Sequence, residues 1–373
     1  MRILYDLCGE GMGHATRSKV VIEHLKRRGH EVLVTAPGRA YDYLAPSCGS
    51  GEIISIVGLN LRCEDGKTSW MGTIEQNAQR LPAILTENAR AWELAKAFRP
   101  NAVIGDFNCF GSLFALSHHL PFVSVDNHQV LPRCEHDWNL FRPHEGGFKA
   151  LELVVRGTAP RAEHCIVTSF FHAPVKPEFR ATTTLVPPIL RPEVLRAISH
   201  QPRKERPTGR AISSRRDREH VLVYKTHSLD DGSLLAPLGE VREQTFVVYG
   251  TKDRAQAPPN VVLRPFSEGQ FITDLASAKA VVCNAGMSLL GEALAFGKPI
   301  YTVPVRDQYE QVMNGIYVAA CGYGVTADSI NPTQLRAFLS EAPRFRAAVA
   351  ASPQHDGNAR LYTTLDRLFG NAA

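Results

Sequence analysis

Residues 280–292 read Ala280-Val-Val-Cys-Asn-Ala-Gly-Met-Ser-Leu-Leu-Gly-Glu292. Four apolar residues run into a glycine turn, and an apolar-rich stretch follows. That is the pattern of strand, turn and helix. At the carboxyl edge of an open α/β sheet such a turn presents backbone amides to a ligand. Gly286, Met287 and Ser288 would offer amides, and Ser288 a hydroxyl, to an anion such as a diphosphate. Glu292 stands one helical turn beyond Ser288 (i, i+4) and shares its face. A carboxylate there can grip a ribose diol while the phosphates rest on the helix start. The plain alternative is a solvated helix residue, and the apolar neighbours Leu289, Leu290, Ala293 and Leu294 speak against it.

The same alternation extends in both directions. Downstream come a strand at Pro299–Val303 and a helix at Tyr309–Cys321, and upstream strands at Val221–Lys225, Thr245–Tyr249 and Val261–Leu263. The first half repeats it: Met1–Asp6, a helix over Thr16–Arg28 closed by Lys26, Arg27, Arg28 and Gly29, then Val32–Thr35. Ile74–Phe98 reads as helical with a start or kink at Pro82. Ala102–Asp106 reads as a strand, Phe110–His118 as a helix and Phe122–Asp126 as a strand. Strands alternating with helices imply parallel sheets covered on both faces. With 373 residues this predicts an α/β chain of two Rossmann-like domains facing a cleft. The expected division is an acceptor-side domain over 1–198, a linker over 199–220 and a nucleotide-binding domain over 221–373, its last helix free to pack back on the first domain.

The linker explains the charge. The formal net charge is +5, yet residues 203–219 hold seven basic and three acidic side chains, and without them the balance is +1. No apolar period is visible there, so a mobile surface segment is expected. The basic balance then gives no reason to expect a nucleic-acid partner, and no element interleaves basic and aromatic residues.

Other classes fall away early. Asp6 interrupts any signal-peptide core, and Ala280–Phe296 carries Asn284 and Glu292, unlike a membrane span. Eight cysteines are scattered without a C-x-x-C pair, which fits neither a zinc knuckle nor a disulfide framework and suits a reducing cytoplasm.

The first glycine turn, Cys8-Gly-Glu-Gly-Met-Gly-His-Ala-Thr-Arg17, spaces its glycines as G-x-G-x-G, and the second strand ends at Thr35-Ala-Pro. A dinucleotide fingerprint wants G-x-G-x-x-G and an acidic residue at that strand end. Gly11 and Gly13 still allow close backbone approach to a ligand. His14 sits where the turn becomes helix and can accept a proton from a hydroxyl at neutral pH. Asp106 ends its strand on the same sheet edge and could take a hydrogen bond from the other ring nitrogen. The alternative, left open at this point, is that His14 and Asp106 simply cap helices. Asp126, Asn127 and His128 follow another strand at that edge, and Trp138 lies in a loop, so these four are candidates for acceptor contact. Asp307, Gln308, Glu310 and Gln311 crowd after the strand at Pro299–Val303 and suit hydrogen bonding to sugar hydroxyls.

Over nearly its whole length the chain resembles glycosyltransferases of the GT-B fold, in the group that includes MurG and the UDP-glucuronosyl/glucosyltransferases. Asn284–Asn314 carries the resemblance most strongly, and Gly9–Arg17 next. The Glu310-Gln311-x-x-Asn314 segment together with Asp126-Asn-His-Gln129 is closer to a bacterial and archaeal branch than to MurG itself. The resemblance implies that Glu292 holds the donor ribose, that Glu310, Gln311 and Asn314 contact the donor sugar, and that His14 is the base with Asp106 as partner. Many relatives have His at the position of Asn284, so diphosphate binding here would draw on the helix amides, Ser288, Thr226 and His227. No Asp-x-Asp motif follows a strand, and no metal or other cofactor is expected. The expectation is therefore a metal-independent, inverting transfer from a UDP-sugar to an acceptor hydroxyl. The acceptor class and the oligomeric state are open. The expected location is the cytoplasm, with contact at the inner membrane face also open. Two alternatives stand beside it: an enzyme like a UDP-GlcNAc 2-epimerase, and a non-catalytic nucleotide-sugar-binding protein.

Overall fold

A computed structural model describes residues 1–373 except 10, 59–62, 65–66, 69–71, 73–74, 77–78, 80–81, 83, 85, 201–219, 226–230, 252–256, 353–354 and 371–373. The expected linker therefore lies almost wholly outside the described residues, as do Thr226 and His227.

Strands β1 (Arg2–Leu7), β2 (Glu31–Pro37), β3 (Ile53–Ile56), β6 (Ala102–Asp106), β7 (Phe122–Asp126), β8 (His164–Thr168) and β9 (Thr183–Val186) form one sheet, in the order β3-β2-β1-β6-β7-β8-β9. Every neighbouring pair in it is parallel. Two short strands, β4 (Cys63–Glu64) and β5 (Lys67–Thr68), pair only with each other. A second parallel sheet runs β12-β11-β10-β13-β14-β15, built from β10 (His220–Tyr224), β11 (Thr245–Tyr249), β12 (Val261–Leu263), β13 (Ala280–Cys283), β14 (Ile300–Thr302) and β15 (Gly324–Thr326).

β1 shows why these segments are strands. Ile3, Tyr5 and Leu7 face one core with Val21 and Leu25 of the helix Met12–Arg27. Leu4 faces the opposite core with Phe110 and Phe114 of the helix Cys109–Ser117. A period of two with both faces apolar is what a central parallel strand requires. In the second sheet Val221, Val223, Phe246, Val248 and Val282 pack against Leu234, Leu335 and Phe338.

The chain divides into two compact units. One holds Met1–Glu64, Thr68–Arg191 and Asp356–Ala373, and the other is mainly Pro192–His355. The division falls after Arg191 and not after 198, because the helix Pro192–Ser199 packs on the helix Glu268–Ser277 of the second unit. The last helix, Asn358–Phe369, belongs to the first unit. Its Leu361, Leu365 and Phe369 recur at i, i+4, i+8 and enter that core. Asn358 seals the return, accepting from Leu190 N at 2.9 Å and donating to Leu190 O at 2.7 Å. Gly357 passes so close that a Cβ would stand 2.0 Å from Pro187 O. Asp366 on this helix accepts from His24 Nε2 at 2.8 Å and Arg28 Nε at 3.0 Å.

Both sheets have a topological switch point, where the chain builds outward on one side and then crosses to the other. It lies between β1 and β6 in the first sheet and between β10 and β13 in the second. Open α/β sheets bind ligands at the carboxyl ends of such strands. Both glycine turns emerge there.

Candidate active site

In the first unit, Leu7 at the end of β1 is in register with Asp106 at the end of β6. Gly11, at φ +78°, turns the chain into the helix that begins at Met12. The helix thus starts four residues before the expected Thr16 and places His14 in its first turn. Asp106 Oδ1 accepts from His14 Nδ1 at 2.7 Å. The capping alternative fails for Asp106, since Asn108 caps the next helix through Cys109 N at 3.0 Å.

Asp106 is fully buried and saturated with donors. Besides His14 it accepts from Arg17 Nη2 at 2.6 Å, Arg17 Nε at 3.1 Å and Ser18 Oγ at 3.1 Å. Burial pushes its pKa up, but the Arg17 charge and the hydrogen bonds from Arg17 and His14 hold the carboxyl well below the usual range. An ionised carboxylate only accepts, so the shared proton belongs to His14 Nδ1, and in the neutral ring Nε2 is then the acceptor. Arg17 Nη2 also stands 3.0 Å from His14 Nδ1. With the proton on Nδ1 both groups are donors, so this is a close approach of two donors converging on one oxygen, not a third hydrogen bond.

Three rings stack near the pair. Phe107 lies 3.7 Å from His128 at 8°, and His14 lies 5.6 Å from His128 and 6.1 Å from Phe107. Phe107 adopts φ +51°, an uncommon conformation for a side chain of this size. Beneath them Asp6 accepts from Thr35 Oγ1, Asn108 Nδ2 and Gly111 N at 2.9, 2.9 and 2.7 Å. Burial, helped by Asp106, pushes Asp6 up to about 7 against these bonds. Gly111 allows the approach, since a Cβ there would stand 2.6 Å from Asp6 Cβ.

The expected acceptor residues have mixed placements. Asp126 is buried and serves its own turn, accepting from Ser124 Oγ at 2.6 Å and Gln129 N at 2.8 Å. Asn127 is buried and accepts from Arg17 Nη1 at 2.9 Å. His128 joins the ring stack. Gly13 O accepts from Thr16 Oγ1 at 3.1 Å. Trp138 is 38% exposed, opening a 3-10 helix that runs to His144 and meeting Phe141 edge-on. Arg17 and Phe107 were missed in the sequence. Arg17 had a signal, because it lies three residues after His14 on the same helix face.

In the second unit, Tyr224 at the end of β10 is in register with Cys283 at the end of β13. Asn284 is buried and donates to Val303 O at 2.9 Å, tying the turn to the strand beside it. Ala285 has φ +64°, and its carbonyl accepts from the fully buried Asn314 Nδ2 at 2.9 Å. Gly286 then caps the helix Met287–Ala295. Met287 is in the core, so only its backbone is available to a ligand, while Ser288 is half-buried. Glu292 is 4% exposed, which settles against a solvated surface position.

The polar segment after β14 is internally organised. Asp307 has φ +60° and accepts from Tyr309 Oη at 3.2 Å. Gln308 Oε1 caps the next helix through Gln311 N at 2.9 Å, and Gln311 Oε1 accepts from Val305 N at 2.9 Å. Gln308 Nε2 donates to Glu310 Oε2 at 3.4 Å. These bonds fix the loop, and all four side chains stay half-buried. Lys225, passed over in the sequence, is buried directly after β10 at the same sheet edge.

Among the described residues no group of three or more His, Cys, Asp or Glu side chains could hold a metal ion, and no helix is long and apolar enough to cross a membrane. A pocket of about 360 Å³ lined by His30, Glu31 and Phe98 lies at the amino end of the first sheet, where β2 begins. It is remote from the strand ends that carry the dyad.

Solved structures share this architecture over almost their full lengths. The calicheamicin glycosyltransferase CalG4 covers 100% of this chain and 99% of its own, at TM-score 0.63 and 18% identity. MurG of Acinetobacter baumannii covers 98% and 99%, at TM-score 0.59 and 17% identity. At these identities the likeness shows the fold, and the fold is that of the GT-B glycosyltransferases. The family model for glycosyl transferase family 1 matches residues 1–343, and the chain belongs to that family. A protein of Methanosarcina acetivorans described as an uncharacterized glycosyltransferase is 24% identical over 337 residues, covering 87% of this chain and 85% of its own. The protein is a glycosyl-transferring enzyme.

Proposed function

We propose that the enzyme moves a sugar from a UDP-sugar to an acceptor hydroxyl with inversion and without a metal, His14 acting as the base. The observation that carries this reading is the 2.7 Å bond between His14 Nδ1 and Asp106, which leaves Nε2 to take the acceptor proton. The acceptor oxygen attacks the anomeric carbon as its proton passes to Nε2. The bond from that carbon to the diphosphate oxygen breaks, and its electrons leave with UDP. Asp106 keeps the ring oriented and offsets the charge it gains.

On the donor side, the amides of Gly286, Met287 and Ser288 at a helix start suit the diphosphate and the charge that grows on it. Asn284 shapes this turn, and Thr226 and His227 complete the proposed phosphate contacts. Buried Glu292 takes the ribose diol, and Asp307, Gln308, Glu310 and Gln311 face the sugar hydroxyls. Gly11, Gly13, His128 and Trp138 are assigned to the acceptor. Asp126 supports that side through the bonds that hold its turn, and Asn127 through the bond it accepts from Arg17 Nη1. A reducing cytoplasm suits the scattered cysteines, which form no C-x-x-C pair.

The test is His14→Ala. Turnover of UDP-sugars should fall by about 10²–10⁴-fold, while the thermal shift produced by UDP remains. Near-wild-type turnover in the variant refutes the base assignment. A wild-type protein that binds UDP-sugars but releases no UDP with any acceptor would favour the binding-protein alternative.

A further inference from the structure

We propose that Arg17 is a positioning residue that locks the His14 proton on Nδ1 and opposes a second proton on the ring, so that the base is held ready near neutral pH. The inference rests on the reading of His14 as the base.

Three observations carry it. Arg17 is 4% exposed, and its guanidinium spans two partners. Nε and Nη2 grip both oxygens of Asp106 at 3.1 and 2.6 Å, and Nη1 reaches Asn127 Oδ1 at 2.9 Å. A two-pronged grip of this kind fixes a carboxylate's rotation, which a lysine's single ammonium does not. Asp106 Oδ1 is thereby held at 2.7 Å from Nδ1.

The second observation is electrostatic. Arg17 Nη2 stands 3.0 Å from His14 Nδ1. Asp106 alone would draw the imidazole into a resting ion pair, and an imidazolium has no lone pair with which to accept a proton. The guanidinium places a like charge against that state. The pair then behaves as a neutral base with an oriented carboxylate. As the acceptor proton arrives, Asp106 still offsets the new charge.

The third is the surroundings. The titratable groups packed around the ring are Asp106 from β6, Arg17 from its own helix and His128 from the turn after β7. Behind them stand Tyr5 and Asp6 on β1 and Asp126 at the end of β7. Within this set Arg17 is the permanent cation next to the ring.

The experiment follows the histidine nitrogens by long-range 1H–15N correlation spectra across pH, alongside pH profiles of kcat/KM, in Arg17→Met and Arg17→Lys. Wild type should show the neutral Nδ1–H pattern for His14 at pH 7.5. In folded Arg17→Met the imidazolium pattern should persist to higher pH by about one unit or more, and the acid limb of kcat/KM should move with it. Arg17→Lys keeps the charge and loses the grip, so its acid limb should stay while kcat falls. An unmoved His14 titration in folded Arg17→Met overturns the proposal. If the Met variant does not fold, wild-type kcat together with a wild-type titration in Arg17→Lys overturns it instead. The nitrogen spectra need no substrate, so they decide the role of Arg17 even if no UDP-sugar turns over, which is the outcome that would sink the functional reading.

Discussion

Replacing Asp106 by Asn changes no volume and removes one charge, so its effect can be worked out bond by bond. The amide oxygen can take the place of Oδ1 and keep His14 Nδ1 and Arg17 Nη2. The amide nitrogen then stands where Oδ2 accepted from Arg17 Nε and Ser18 Oγ. The serine hydroxyl can rotate and accept, but Arg17 Nε cannot. The buried guanidinium loses its counter-ion and faces a donor. Breaking one partner of a buried ion pair costs about 3–5 kcal/mol. At 2–4 °C per kcal/mol for a unit of this size, the melting transition of the first unit should fall by roughly 6–20 °C. Turnover should fall by roughly 10³–10⁴-fold, because the neutral amide no longer offsets the charge that the imidazole gains in the transition state. The sign of the pH dependence follows from the depressed carboxyl. Its contribution is complete above about pH 4, the unfolded value, and is lost as pH falls through the folded value. The gap between wild type and variant should therefore close only in strong acid. Calorimetry and UDP release on the same preparations test this. A transition within about 2 °C of wild type at pH 7, with turnover within about threefold, would refute the description of Asp106 as the ionised hub of the site.

Asp6, raised to about 7, keeps its proton in the fold at pH values where the unfolded chain has released it. Stability therefore falls as pH rises from about 4 to 7, by up to roughly 1.4 kcal/mol per unit; Asp6→Asn should remove that slope in urea titrations, and parallel curves for the two proteins would count against it. Phe107→Gly should be more stable than Phe107→Ala by about 1 kcal/mol, because both lose the ring but only Gly relieves the positive φ; equal urea midpoints would show the backbone to be unstrained. Glu292→Gln should weaken UDP binding by about 10–100-fold, the loss of a charged hydrogen-bond acceptor, and should abolish any preference for UDP over TDP. Calorimetric titration reads both, and unchanged UDP affinity would remove Glu292 from the ribose site.

Much of the fold was legible because burial on two faces writes itself into composition. Ala102–Asp106, Phe122–Asp126, Thr245–Tyr249, Val261–Leu263 and Ala280–Cys283 have the expected bounds. β3, β8, β9 and β15 were not seen: β3, β9 and β15 are runs of three or four residues containing Ser, Thr or Gly and carry too little pattern to count as a period, while the five-residue β8, opened by His164, was passed over. His14 and Asp106 were paired from the rule that ligand groups collect at carboxyl strand ends. The polar residues at 126–127 and 307–311 looked like ligand groups for the same reason, yet the fold engages many of their side chains in holding their own turns.

The sequence by itself pointed to the two α/β halves and the two glycine turns and offered His14 and Asp106 as a pair, because each follows from a local period or from a residue's place at a strand end. The tertiary structure decided which side chains join that dyad and where the units divide. Arg17 reaches Asp106 across 89 positions, and Asp366 meets His24 across 342. Such contacts depend on strand order and on where the last helix docks, and neither is encoded in the spacing of neighbouring residues.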